Sequence, residues 1–472
     1  MTGKVTNNIK SLWLAIIWLV VCLLLQRELN DSSYLTHHIF TACTLVSYVM
    51  CIVNWVTCSN RLISLYVLFV IYVLLSNLGE SILCMFGFPE ELLYVYGKST
   101  IEQINGMLRF QLLCAAALNL GTMLYIYKAD RCVNIETQRD AFNNSQPLSR
   151  TQMTVLDILL FLSMAFVILF SIRMFFYRQV VDYETLYYTK QEWSTFIGQI
   201  FNFLSVLLCF WFLFKKKYVR TIYAFLLWCI FIYMLIGVRS MSVGYLCILL
   251  VMFPLDHPGF FRKRFAIFWI ALVFVGFAAL SIISDYRTVA IGSNAFIASD
   301  ISIWDSALAT VSEMGMSANT TVMAMDEVNR GFPLHQTILV AVLNSFIPFI
   351  SDLPAIQEEA IQLSQWVTDL AKSYNSGFGF SCIAEAYVNY GGVGWLFFIV
   401  YGFFIAYAEN TAYRRIMRGR FPYALFLLTF LAQQIFFARG EIGTSTGTVR
   451  LCVYAAVIIC IWQMAHGKKV AL

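Results

Sequence analysis

Ser11-Leu-Trp-Leu-Ala-Ile-Ile-Trp-Leu-Val-Val-Cys-Leu-Leu-Leu25 carries no charged side chain from end to end. Extended by its flanks, it is long enough to cross the hydrocarbon of a bilayer as a helix, which takes roughly 20 residues. No small-residue cleavage site follows, so it is expected to stay as a first membrane helix. Comparable apolar runs recur, centred near Thr44, Val70, Ala116, Leu162, Ser205, Trp228, Leu249, Val273, Phe398, Leu427 and Ala456. Together they predict an all-α polytopic membrane protein of about twelve transmembrane helices, a single integral membrane domain over 1–472.

Composition agrees. The 472 residues are 60% hydrophobic and 16% aromatic, and only 12% are charged, about half the charge of a soluble domain. A chain this apolar must be solvated by lipid. Basic residues collect in short loops on the cytoplasmic side of membrane proteins. With the first residues placed inside, most of the 32 basic residues fall on that side, in the runs 215–217, 262–264 and 414–420 among others, but few of the 27 acids do. Both termini are therefore expected in the cytoplasm.

The longest polar stretch, 285–392, is expected outside, between the ninth and tenth spans. Trp304, Leu308, Val311 and Met314 repeat at helical spacing, as do Ile356, Ala360, Leu363, Val367 and Leu370, with Asp352 and Pro354 marking a helix start. Between them 338–350 is apolar but too short to span, and it ends at Pro348, which predicts an interfacial or re-entrant segment.

Arginines at the outer ends of spans run against the charge rule. Arg239 lies in Ile-Gly-Val-Arg-Ser, Arg287 in Ser-Asp-Tyr-Arg-Thr, Arg439 in Phe-Phe-Ala-Arg-Gly-Glu, and Arg450 opens the last span. Charge at membrane depth is costly unless it snorkels, pairs or faces a polar cavity. Asp285 and Glu441 are the local carboxylates that could neutralise Arg287 and Arg439. A guanidinium also matches phosphate oxygens in pairs and keeps its charge, so four at one depth would suit a lipid diphosphate.

Other chemistry finds little footing. The sequence has no Walker loop, no Gly-x-Gly-x-x-Gly and no Asp-x-Asp, and its five histidines lack metal-ligand spacing. No metal and no cofactor are expected. Most of the 13 cysteines, Cys22, Cys51 and Cys114 among them, sit inside apolar runs as small hydrophobes; Cys84 and Cys382, placed outside, make a weak pair.

The arginine contexts, with Ser376-Gly-Phe-Gly-Phe-Ser-Cys-Ile-Ala-Glu385-Ala-Tyr-Val-Asn389-Tyr-Gly391-Gly-Val-Gly394 leading into the tenth span and the apolar segment at Pro348, resemble the bacterial oligosaccharide repeat-unit polymerases, the Wzy or O-antigen polymerases. The resemblance covers roughly residues 195–465. It implies a membrane-embedded C-type glycosyltransferase of the bacterial inner membrane. Such an enzyme moves a growing glycan from undecaprenyl diphosphate to the non-reducing end of a new lipid-linked repeat on the outer face, for O-antigen, capsule or exopolysaccharide. Its substrate is undecaprenyl-diphosphate-linked oligosaccharide in the lipid bilayer, its expected partners are a chain-length regulator and a flippase, and nucleic acid has no part. On this reading Arg239, Arg287, Arg439 and Arg450 hold diphosphate, and Glu441, Glu385 and His335 are the candidates for accepting the hydroxyl's proton. A glycan ligase and a lipid-linked oligosaccharide flippase are the rival readings.

Overall fold

The computed structural model describes residues 2–59, 61–129, 150–180, 196–236, 239–256, 303–347, 363–370, 380–417, 421–442, 450–451 and 454. These residues are all-helical. Fifteen α-helices follow in chain order among them: α1 (Thr2–Glu28), α2 (Tyr34–Ser59), α3 (Leu65–Met85), α4 (Ile101–Lys128), α5 (Arg150–Val180), α6 (Phe196–Phe214), α7 (Val219–Ile236), α8 (Arg239–Asp256), α9 (Ile303–Gly315), α10 (Ala318–Asn329), α11 (Thr337–Phe346), α12 (Leu363–Leu370), α13 (Cys382–Tyr390), α14 (Phe397–Met417) and α15 (Phe421–Phe437).

Ten of the twelve expected span centres fall on these helices; those near Val273 and Ala456 lie outside the described residues. Among the described residues seven candidate spans are long and apolar enough to cross a membrane, and 200–213 and 241–253 are shorter apolar helices. The chain divides into two compact units: Met1–Asn134, Val311–Thr411 and Gln434–Val453 form the first, and Ile135–Thr310, Ala412–Gln433 and Tyr454–Leu472 the second.

In the first unit α4 is the central helix, packed on α1 and α2. Its start is fixed by a capping box, in which the Thr100 hydroxyl accepts from Gln103 N and the Gln103 carboxamide accepts from Thr100 N. Three of the polar residues that weaken its hydropathy find partners. Asn119 accepts from Asn54 Nδ2 at 2.9 Å, Asn105 Nδ2 reaches Asp31 O at 2.6 Å, and Arg109 pairs with Asp31. By contrast α1 turns Trp13, Leu14 and Ile17 outward. Lipid solvates such side chains, so their exposure costs nothing there.

Glycines set two close helix crossings. A Cβ on Gly121 would lie 2.0 Å from Ile399 O, and one on Gly402 2.5 Å from Leu118 O, so α4 and α14 meet backbone to backbone. On α3 and α9, Gly79 and Gly315 do the same against Val311 O and Glu80 N. This second crossing corrects the expected face of α9. Its buried line is Ala307, Thr310 and Met314, while Trp304 is 59% exposed, because small residues admit the neighbouring backbone where a tryptophan could not.

Helix α10 was not anticipated. Its Asn319, Thr320, Thr321, Asp326 and Glu327 mask its period, yet Asn319 to Val322 are buried and it packs on α3, α4, α12 and α13. The second expected amphipathic helix is described only as α12, and the start at Asp352 and Pro354 lies outside the described residues. Cys22, Cys51, Cys114, Cys84 and Cys382 are free and buried; Cys58 is disulfide-bonded.

In the second unit α7 packs on α8 and α5 on α6. Lys217, in the turn after α6, reaches both carboxylate oxygens of Asp157 at 2.7 and 2.9 Å. That hydrogen bond holds its ammonium above the ordinary lysine range.

Candidate functional site

The stretch that opens the tenth expected span folds as α13, and its ends are chemically specified. Ser381 caps it, its hydroxyl accepting from Ile383 N at 3.1 Å and hydrogen-bonding Asn77 Oδ1. Gly391 ends it at φ 59, a left-handed conformation that favours glycine. One turn further Gly394 lies against the α13 backbone, where a Cβ would sit 2.3 Å from Ala386 O. Every residue from Cys382 to Asn389 is buried.

A buried carboxyl must find donors or neutralise. Glu385, 1% exposed, accepts from Thr337 Oγ1 at 3.1 Å through Oε1 and from Ile442 N at 2.8 Å through Oε2. One helical turn on, Asn389 braces the same group. Its Nδ2 donates to Thr337 Oγ1 and to Glu385 O, each at 2.8 Å, and its Oδ1 accepts from Ile338 N at 3.0 Å. Three segments distant in sequence, the start of α11, α13 and the residues after α15, therefore close on one carboxylate.

Glu441, next in sequence to Ile442, turns the other way. Its Oε2 accepts from Leu363 N at 2.7 Å, at the start of α12. His335 is buried just before α11, with its main-chain N–H on Val388 O at 3.2 Å and its ring 4.9 Å from that of Phe332. Phe332 in turn stacks on Trp366. The three proton-acceptor candidates thus belong to one unit and sit around α13.

Two of the four arginines belong there too. Arg450 donates from Nη2 to Asn344 Oδ1 at 2.7 Å and from Nε to Asn344 O at 3.1 Å. Its partner is a neutral amide on α11. Arg439, half-buried in the turn after α15, forms no ion pair among the described residues. The expected pairing of Glu441 with Arg439 is therefore absent: the carboxylate is drawn instead to a helix N-terminus, whose orphan N–H groups and dipole favour an anion. Arg239 is the first residue of α8, in the second unit, and Arg287 with Asp285 lies outside the described residues.

Three residues of this region escape a sequence reading. Thr337, Asn389 and Asn344 are polar without charge, and only the four-residue spacing of Glu385 and Asn389 hints that they share a helix face.

Comparison with known proteins gives one family. A family model described as O-antigen polysaccharide polymerase Wzy matches residues 9–469. No curated protein and no solved structure matches the chain.

Proposed function

The chain belongs to the O-antigen polysaccharide polymerase Wzy family and joins oligosaccharide repeat units into polysaccharide, and from that premise we propose how it does so. The donor glycan is carried on undecaprenyl diphosphate, and the chain passes it to the non-reducing end of an incoming repeat at the outer face of the bacterial inner membrane, without a metal. The C-type glycosyltransferase architecture and cytoplasmic termini belong to the same proposal. So does 285–392 as an external cap.

One observation carries the chemistry. Arg439 and Arg450 have no carboxylate partner among the described residues, and Arg450 is held by a neutral amide. An arginine fixed in place with its charge uncompensated is suited to an anionic ligand. A lipid diphosphate is already a good leaving group, so the enzyme's main task is to stabilise the charge that develops on it, which preorganised guanidiniums do electrostatically. Arg239 and Arg287 are assigned the same role from their sequence contexts alone.

The attacking hydroxyl's proton is assigned to His335, buried beside α13 with its main-chain N–H on Val388 O.

The test replaces Arg239, Arg287, Arg439 and Arg450 singly by alanine and by lysine and compares chain-length ladders in cells at matched protein abundance. Single repeats in place of long polymer are expected from each alanine variant, with lysine restoring part of the length. Full ladders from all four would remove the role. Elongation of lipid-linked repeats by the purified chain in detergent, where no bilayer separates two compartments, would exclude pure transport. The match to a polymerase family does not favour a ligase or a flippase.

A further inference from the structure

Among the described residues, hydrogen bonds through side-chain oxygens and one main-chain carbonyl tie 439–442 and Arg450 to α11, α12 and α13. Ile442 N is held by Glu385 on α13, Glu441 reaches Leu363 N on α12, and Arg450 is held by Asn344 on α11. Glu385 is itself oriented by Thr337 and Asn389. A carboxylate with both oxygens engaged, one by a hydroxyl and one by a main-chain N–H, is poorly placed to take a proton from a substrate. It is well placed to fix a backbone, because the Ile442 N–H and the Thr337 hydroxyl both meet it at hydrogen-bonding distance.

We propose that Glu385 is a positioning residue: through the Ile442 amide it sets where the backbone carrying Arg439 lies, and Asn344 does the same for the Arg450 guanidinium. This rests on the diphosphate role given above to the two arginines. The physical reason for such a device is that charge stabilisation depends on placement. A shift of about 1 Å in a positioned group can cost on the order of a hundredfold in rate. Arginines that must wait for a mobile lipid substrate cannot be set by the ligand beforehand, so the protein must hold them. Neutral amides and main-chain groups do this without cancelling the charge that the diphosphate needs.

The decisive substitution is Glu385→Gln. Glutamine keeps an oxygen for the Ile442 N–H and offers an amide donor to Thr337 Oγ1, but it cannot accept a proton at working pH. Three measurements on the full chain in detergent are compared for the native protein, Glu385→Gln and Glu385→Ala. They are elongation of lipid-linked repeats over a range of donor concentration, thermal unfolding, and amide hydrogen exchange of peptides spanning 439–442. Glu385→Gln is expected to elongate within about threefold of native, with 439–442 still protected. Glu385→Ala removes the acceptor of the Ile442 N–H, a loss worth about tenfold or more. It should expose 439–442 to exchange and lower kcat with a smaller change in the KM for donor. The pair Glu385→Ala with Arg439→Ala should lose less than the product of the single losses, because both act on one group.

A Glu385→Gln protein that is folded and protected at 439–442 but as inactive as an alanine variant would overturn the inference and make Glu385 the proton acceptor. Multiplicative losses in the double variant would also overturn it. If Glu385→Ala does not accumulate, the glutamine variant decides alone. Full ladders from Arg439→Ala and Arg450→Ala would instead sink the diphosphate reading, and the exchange at 439–442 would still report separately whether Glu385 fixes that backbone.

Discussion

Arg61 and Arg450 belong to the same compact unit and are held in opposite ways. Arg61, 9% exposed, faces Glu409, which is fully buried, at 3.6 Å, and the second Glu409 oxygen accepts from Tyr66 N at 2.8 Å. Its charge is spent on the fold. Arg450 is fixed as firmly, by two hydrogen bonds to Asn344, but by a residue that leaves the charge unspent. Arg109, paired with Asp31, follows the first pattern. On the proposed diphosphate role, the difference separates arginines that build the protein from arginines left for a ligand, and it lies in the chemistry of the partner.

The comparison is broken most directly at Arg61. Removing one partner of a buried pair leaves an uncompensated charge, a loss of about 3–5 kcal/mol. Arg61→Ala should therefore lower the unfolding temperature and the yield of folded protein sharply. Glu409→Gln, which leaves the guanidinium buried, should do nearly as much. An Arg61→Ala protein of native stability would end the claim that this arginine is structural.

Arg450→Ala should show the reverse profile. Loss of a preorganised charge-stabilising donor costs about a hundredfold or more in rate, so elongation should fall to that degree while the unfolding temperature stays close to native. The comparison sharpens with Asn344→Asp, which supplies the missing carboxylate. It should keep Arg450 in place, even tighten it, yet slow elongation by about tenfold, because a paired guanidinium has less to offer a diphosphate. Faster elongation in that variant would show that position matters and net charge does not.

Much of this architecture was open to reading from the sequence, and the reasons are specific. The apolar runs declare themselves because lipid tolerates no other solution, so ten expected centres land on described helices. The run near Ala116 looked weakest because of Arg109, Gln111 and Asn119. It is in fact the central helix of its unit: Arg109 and Asn119 find partners in Asp31 and Asn54, while buried Gln111 has no hydrogen bond among the described residues. The arginine contexts and the Glu385 stretch were visible as motifs, and the family match agrees with the resemblance they carried. What stayed hidden was pairing. Glu441 is two residues from Arg439, and sequence proximity favours an ion pair; only the fold brings Leu363 N, 78 residues away in sequence, into competition for that carboxylate. Helix α10 stayed hidden for a related cause, since buried threonines and asparagines disguise a face that packs on other helices.

Gly121 tests the packing beneath both arginine classes. A methyl there would meet Ile399 O at 2.0 Å, and main chain cannot yield as a flexible side chain does. Overpacking of this kind costs about 1–3 kcal/mol. Gly121→Ala should therefore lower stability by an intermediate amount and leave the KM for donor unchanged. A raised KM with intact stability would mean that the crossing of α4 and α14 serves the site and not the scaffold.

Arg330 supplies the smallest effect and the control. It pairs with Glu327 at 2.9 Å, one turn earlier on the same stretch, with a side chain 70% exposed. By distance it is a closer pair than Arg61 with Glu409 at 3.6 Å. Energetically it should be the poorest. Water already solvates both groups, and an exposed pair three residues apart contributes about 0.5 kcal/mol or less. Arg330→Ala should thus change the unfolding temperature by no more than about 2 °C and leave chain-length ladders untouched. If it shortened the ladders as Arg450→Ala is expected to, then exposure and pairing would not be what distinguishes a ligand-holding arginine in this protein, and the contrast between Arg61 and Arg450 would lose its explanation.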